Sequence, residues 1–400
     1  MYQELAIIAV FTFCYSVISG RVDKMSMSGP IVFVLVGLLL GPSFLSWLPA
    51  DVAQIEYRTL IDLTLALVLF NDAASSDSAV LRLRAGLPAR MLLLGLPGAI
   101  GLGFIVGYFL FGDLAVYEVA ILATMLAATD AALGKAVVSN KAVPARLREG
   151  LNCESGLNDG MAVPVLLVFI ALAHGANGGD SQVSALALVA EEIGIGAGVG
   201  LLVAGIGAWL LKEGAAKGWV SNVWAQLSVP ALAISCFALA QSLHGSGYIA
   251  AFVGGMLFGI LAKEATHKLV MPSEGIGEAM AMLTWIIFGA VIIARVAAEI
   301  SVEIALYSLL SLTVVRMVPI FLSLAGSGES NSSKLFLGWF GPRGLASIVF
   351  AIIVINEQLP GGDLIATVVA TTVLLSLVAH GVSANPLARW MAGREGKAGS

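Results

Sequence analysis

Asn152-Cys153-Glu154-Ser155-Gly156-Leu157-Asn158-Asp159-Gly160 stands near the head of an apolar run from Leu151 to Ala173. A run of about 20 apolar residues is what a helix needs to cross a bilayer. Two acids inside such a run are costly and therefore point to function. On a helix of 3.6 residues per turn, Glu154 lies above Asn158 and Ser155 above Asp159, so the polar groups form one stripe. The rest of the chain decides whether that stripe sits in a membrane.

It does so by composition and by repetition. Of the 400 residues, 58% are hydrophobic and 12% charged, against about 25% charged in soluble domains. About thirteen apolar runs follow one another, from Leu5 to Ile18 through Leu364 to Val382, with short polar gaps and no room for a soluble domain. The expected fold is an all-α membrane protein, a single domain over residues 1–400. Every second gap is basic: Arg21 and Lys24; Arg82, Arg84 and Arg90; Lys141, Arg146 and Arg148; Lys212 and Lys217; Lys263 and Lys268; Lys334; Arg389, Arg394 and Lys397. Cytoplasmic loops carry the excess of Lys and Arg, so an odd helix count puts the N-terminus outside and the C-terminus in the cytoplasm. No basic stretch precedes the first run, which argues against a cleaved signal peptide. The net charge of −5 says little about partners; membrane lipid is expected, nucleic acid and protein substrates are not. Cys14, Cys153 and Cys236 lack metal-like spacing and fit packing.

Two pairs of segments hint at internal symmetry. Gly29-Pro30 with Gly37 and Gly41 in the second run is echoed by Gly245-Ser246-Gly247 with Gly255 and Gly259 in the ninth. Thr129-Asp130 interrupts the fifth run, Ala115 to Val138, and Gly338 with Gly341-Pro342-Arg343-Gly344 interrupts the twelfth, Leu335 to Ile355. An odd offset means opposite orientation, and inverted repeats whose broken helices meet near the midplane are a recurrent transporter design. For the glycines alone, close helix packing is the simpler reading.

The ionisable residues away from run ends are Asp130, Lys135, Glu154, Asp159, Arg316 and Arg343. A hard cation that sheds water wants oxygen ligands. Asp159 and Ser155 offer two from one helical face, and the unwound backbone at Thr129 and the Asp130 carboxylate can supply more. An acid withdrawn from water without a full counter-charge holds a proton more tightly, so proton and cation compete for one site. Competition couples the two fluxes if either loaded form can switch sides and the empty charged form cannot. One carboxylate trading one proton for one monovalent cation makes the exchange electroneutral.

Asn152 to Pro164 resembles the sixth helix of the monovalent cation/proton antiporter family, in its NhaP-type sodium/proton branch. Ala128-Thr129-Asp130, Gly338 to Gly344, and His380-Gly381 with Pro386-Leu387 resemble that family's other signatures in matching order. The resemblance implies about thirteen transmembrane helices with the fifth and twelfth interrupted. It implies core and dimerisation subdomains, with helices 1–6 and 8–13 as inverted repeats and the seventh as linker, and a homodimer. It implies no enzymatic activity and no cofactor beyond the transported sodium, lithium or other monovalent cation and the proton. Asp159 carries ion and proton, assisted by Ser155, Thr129 and Asp130. Glu154 pairs with Arg316, Asn158 helps hold the site, and Arg343 neutralises the broken helix ends. Ala131 stands where many relatives have proline, and Lys135 is unaccounted for, a long stem that can snorkel to the interface.

Potassium in place of sodium stays open, because oxygen count and cavity size are not visible in sequence. An intramembrane protease is the rival from another class; His244 and Ser246 flank one turn with no oxyanion device, and Asp130 and Asp159 lack a peptide groove. A channel is disfavoured by the lack of charge rings or pore loops. Asp62 and Asp72 are read as solvated or loop-anchoring ends of the third run, and His244 as interfacial.

Overall fold

The computed structural model describes residues 2–22, 28–48, 55–76, 86–176, 182–262, 266–296 and 299–398, and among them every regular element is helical. Lys24, Arg82, Arg84 and Lys263 lie outside the described residues, as do the side chains of Lys135, Arg295 and Lys397. The chain runs through α1 (Tyr2–Val22), α2 (Gly29–Leu40), α3 (Ile55–Ser75) and α4 (Gly86–Leu110), then α5 (Val116–Met125) and α6 (Ala131–Val138). It continues through α7 (Ala145–Ala176), α8 (Gln182–Ala216), α9 (Asn222–Ser242) and α10 (Gly247–Ala262). α11 (Thr266–Ile287) passes through a π-helical turn, Phe288–Ile292, into Ile293–Val296. α12 (Val302–Ser323), α13 (Asn331–Trp339), α14 (Leu345–Asn356) and α15 (Gly362–Ala398) complete the bundle.

Eight of these are long and apolar enough to cross a membrane, while α2, α5, α10 and α14 are shorter apolar helices. α5 with α6, and α13 with α14, are the two halves of the fifth and twelfth runs, each broken where the sequence places its polar residues. The bundle's outside is apolar: Phe13, Phe109 and Trp224 are exposed. A soluble monomer rarely shows such a continuous apolar surface, whereas lipid tails accept it.

Glycine sets how closely the helices approach. A methyl on Gly37 or Gly41 of α2 would strike the backbone of Ile286 or Ala290 in α11, and one on Gly255 or Gly259 of α10 would strike that of Phe70 or Ala74 in α3. Both glycine pairs thus act in packing, as small residues do between helices in lipid. The contacts clamp α10 onto α3 and α2 onto α11. Their consequence for the site is the position of α3 and α10 along one side of α7.

Candidate ion site

After α5 ends at Met125 and the turn at 126–127, the chain is unwound through Ala128, Thr129 and Asp130 before α6 begins; a second unwound stretch lies between Trp339 and Leu345. Backbone groups freed inside a membrane must find other partners, and here the two breaks serve each other. Asp130 N donates to Pro342 O at 2.8 Å. Asp130 Oδ1 accepts from Leu133 N at 3.2 Å and Oδ2 from Leu345 N at 2.7 Å, so one carboxylate caps the first turn of both α6 and α14. The N-terminal ends of helices carry partial positive charge, which a carboxylate offsets.

The opposite ends need a cation. Arg343, fully buried, donates from Nη1 to Ala128 O at 2.9 Å. Ser347 Oγ donates to Met125 O at 3.0 Å, satisfying another carbonyl at the end of α5. Arg343 N donates to Ser376 Oγ of α15 at 2.7 Å, and His380, one turn on, bonds Ser376 through Nδ1 and the Trp339 carbonyl through Nε2 at 2.9 Å. Gly344 is required by closeness: a side chain there would overlap the Asp130 carboxylate, and one on Gly341 would overlap the Arg316 guanidinium.

α7 brings its polar stripe against this crossing. Ser155 Oγ donates to Thr129 O at 2.9 Å. Glu154 is paired bidentately with Arg316 of α12, at 2.7 Å and 3.0 Å, and also accepts from Asn158 Nδ2 at 2.9 Å. Both side chains of the pair are 1% exposed. Asp159 differs. It is buried, and its Oδ1 has no hydrogen-bond donor among the described residues; the Thr129 hydroxyl and the Asn158 amide oxygen are likewise unpartnered.

Three buried oxygens without donors, on residues around one helix break, are the chemistry a proton or a hard monovalent cation fits as cargo. Ser155 Oγ and Thr129 O are bonded to each other, yet each keeps lone pairs for a cation. A narrow pocket lined by Asp130, Ser155, Asn152, Gly134, Phe340 and Pro342 leads from the site toward the end where α6 stops and α7 starts. Along the neighbouring face of α7, Gly160 lies against the ring of Phe252 from α10.

Sequence reasoning placed Asp159, Asp130, Ser155, Thr129, Asn158, Glu154, Arg316 and Arg343 at one site, and the structure brings these eight together. It passed over Asp72. That residue lies not in solvent but beside Gly156 of α7, near enough to Asp130 and Asp159 for their charges to interact. Asp62 also departs from the solvated reading, because α3 extends beyond its apolar stretch; its carboxylate accepts from Tyr248 Oη at 2.7 Å. The helix α3, Ile55–Ser75, holds Asp62 in its interior and Asp72 in its last turn. Ser347 and Ser376 gave no signal, since serines in membrane helices are common. His244 is exposed, in the turn after α9.

Residues 7–390 match the family described as "Sodium/hydrogen exchanger, transmembrane". Among sequence relatives, the K(+)/H(+) antiporter NhaP of Alkalimonas amylolytica is 22% identical over 390 residues, covering 97% of this chain and 66% of that protein. The Low-affinity Na(+)/H(+) antiporter NhaS1 of Synechocystis is 26% identical over 300 residues, 71% of this chain and 55% of that one. The chain spans just under two thirds of the length of its first sequence relatives. The fold is similar to that of the sodium proton antiporter MjNhaP1 from Methanocaldococcus jannaschii at pH 8, with TM-score 0.79, 20% identity, and coverage of 98% of this chain and 99% of that one.

Proposed function

The chain belongs to the sodium/hydrogen exchanger family, and we propose that it exchanges a monovalent cation for protons across the plasma (inner) membrane by competition at Asp159. The observation that carries this reading is the contrast between its acids. Glu154 has its charge matched by Arg316, and Asp130 has its oxygens engaged by two helix starts, while Asp159 Oδ1 is buried and open. A buried carboxylate oxygen in that state has strong reason to hold either a proton or a cation.

In this mechanism Asp159 is the exchanging group, with Ser155 Oγ, the Thr129 oxygens and the spare lone pairs of Asp130 as cation ligands. Asn158, Glu154, Arg316 and Arg343 hold the frame. Asp72, beside Gly156 of α7, is a further acid next to the site. One exchanging carboxylate gives an electroneutral cycle. The bound cation or proton neutralises Asp159, and only the neutralised site crosses between the two sides, because moving a bare charge through the low-dielectric interior is prohibitive.

Sodium, with lithium, is the first reading. Potassium is the second, favoured by the naming of relatives such as the Alkalimonas protein as K(+)/H(+) antiporters. The meeting of two broken helices supports an arrangement of helices 1–6 and 8–13 as inverted repeats; core and dimerisation parts and a homodimeric assembly follow from the family resemblance alone. The alternation of basic gaps supports an outside N-terminus and a cytoplasmic C-terminus.

The deciding experiment uses proteoliposomes of the full chain carrying a pH gradient. Added sodium collapses the gradient, and Asp159→Ala abolishes the effect. Undiminished exchange by that variant removes Asp159 from the mechanism. Running sodium, lithium and potassium in parallel selects the cargo.

A further inference from the structure

We propose that His380 is a positioning residue for cation exchange: a neutral imidazole that accepts the hydrogen bond of the Ser376 hydroxyl, aims Ser376 at the Arg343 amide, and so fixes the unwound stretch on which Asp130 and the Thr129 carbonyl depend. This role rests on the reading of that crossing as the ion site.

The stretch from Phe340 to Gly344 has left the helical pattern, so its main-chain groups need partners elsewhere. Pro342 O accepts from Asp130 N, Leu345 N donates to Asp130 Oδ2, and the Arg343 side chain reaches Ala128 O. These contacts tie it to the first break on either side of Thr129. Two further anchors, Trp339 O at its start and Arg343 N near its end, both go to one turn of α15. A single ring serves both, directly through Nε2 at 2.9 Å and by way of Ser376 through Nδ1 at 3.1 Å. That ring is 2% exposed and packs against Trp339 and Phe340, with 5.1 Å and 6.4 Å between centroids.

The partners dictate where the ring carries hydrogen. A carbonyl oxygen only accepts, so Nε2, facing Trp339 O, is the protonated nitrogen, and in the neutral ring Nδ1 is an acceptor. Ser376 Oγ already accepts from Arg343 N at 2.7 Å, which leaves its own hydrogen for Nδ1. The donors then run one way: Arg343 N to Ser376 Oγ, Ser376 Oγ to His380 Nδ1, His380 Nε2 to Trp339 O. A second proton on the ring would turn Nδ1 onto the Ser376 carbonyl, 3.0 Å away, and release the hydroxyl. Arg343 and Arg316 already set two buried positive charges close enough to act on the ring, and a third would stand there without a counter-charge.

Ser376 needs this acceptor because its own helix offers another. Thr367, Thr371 and Thr372 of α15 each donate to the carbonyl one turn back, Asp363 O at 2.9 Å, Thr367 O at 2.8 Å and Val368 O at 2.7 Å. Hydroxyls inside a helix readily settle on that carbonyl. Ser376 breaks the pattern, and the group that draws it away is His380 Nδ1. Without that acceptor the hydroxyl falls back on Thr372 O and Arg343 N loses its partner. Leu345 N, two residues on, then loses the register that sets it on Asp130.

The test compares His380→Asn with His380→Gln in proteoliposomes of the full chain, reading the sodium KM and maximal rate of exchange beside the melting temperature in detergent. The Asn side-chain oxygen takes the place of Nδ1 and keeps the acceptor for Ser376, while Trp339 O still accepts from Gly341 N at 2.8 Å. The Gln amide reaches the place of Nε2 and keeps the contact with Trp339 O, but leaves Ser376 without an acceptor. His380→Asn therefore keeps the parental KM, and His380→Gln raises it roughly tenfold, the scale of one buried hydrogen bond lost. A packing role gives the opposite order, since Asn leaves the larger void. Ser376→Ala raises the KM by the same factor, and adding His380→Gln to it changes nothing further. A KM for the Asn variant equal to or above that of the Gln variant, a parental KM in Ser376→Ala, or additive effects in the double variant overturn the proposal. Asp159→Ala is run alongside: exchange surviving there removes the ion-site reading and the proposal with it, whereas its loss beside an unordered Asn and Gln pair removes only the role of His380.

Discussion

Arg316→Ala isolates the part of the site that is framework. The guanidinium meets Glu154 with two hydrogen bonds of 2.7 Å and 3.0 Å, and neither side chain is more than 1% exposed. Deleting one partner of a buried ion pair leaves a charge without compensation and costs about 3–5 kcal/mol. Set against a total stability of about 5–15 kcal/mol for a typical protein, that is enough to lower the folded yield severalfold. The apparent melting temperature in detergent should fall by roughly 5 °C or more. Glu154→Gln combined with Arg316→Met should recover most of both losses, because no bare charge remains and Asn158 still has an acceptor at position 154. Yield, a thermal scan and sodium-driven proton flux on the three proteins make the comparison. If Arg316→Ala is as stable as the parent but inactive, the pair acts in transport itself and the framework reasoning is wrong.

Proton competition at Asp159 predicts that the apparent KM for sodium rises tenfold per pH unit on the acid side of the site's titration, with maximal rate at saturating sodium preserved; a falling maximal rate at constant KM would place the proton elsewhere. Gly344→Ala should push the Asp130 carboxylate off Leu345 N, losing a charged hydrogen bond of about 1.5–3 kcal/mol. Exchange should drop at least tenfold, and parental flux in this variant would contradict the tight fit. Ser155→Ala removes the bond to Thr129 O and one cation ligand, worth about 1 kcal/mol; the KM for the cation should rise roughly fivefold, and an unchanged KM excludes Ser155 from the ligand set.

The membrane fold was legible because its signals are one-dimensional. Apolar length marks the spans, and Thr129-Asp130 and Gly341 to Gly344 stand out as polar gaps inside two of them, where the helices do break. The stripe from Glu154 to Asp159 follows from helical periodicity alone. What escaped the reading depends on distance in space. Asp72 gains meaning only because α3 packs against α7 and sets it beside Gly156. Ser376 matters because it receives Arg343 N from an element 33 positions away. The π-helical turns at Met91–Gly95 and Phe288–Ile292 carry no compositional mark at all. Lys135 remains a position whose side chain lies outside the described residues.

The double cap on Asp130 bears on how the protein is made. The carboxylate and the Leu345 amide it binds are 215 positions apart. At a synthesis rate of about 5–20 residues per second, the later partner leaves the ribosome roughly 10–40 s after the earlier one. Through that interval the interrupted segment must sit in the bilayer, or at its translocation channel, with part of its main chain unsatisfied. Biogenesis is therefore most exposed to error before Gly344 arrives, and a nascent chain stopped short of it should be a preferred target for membrane quality-control proteases.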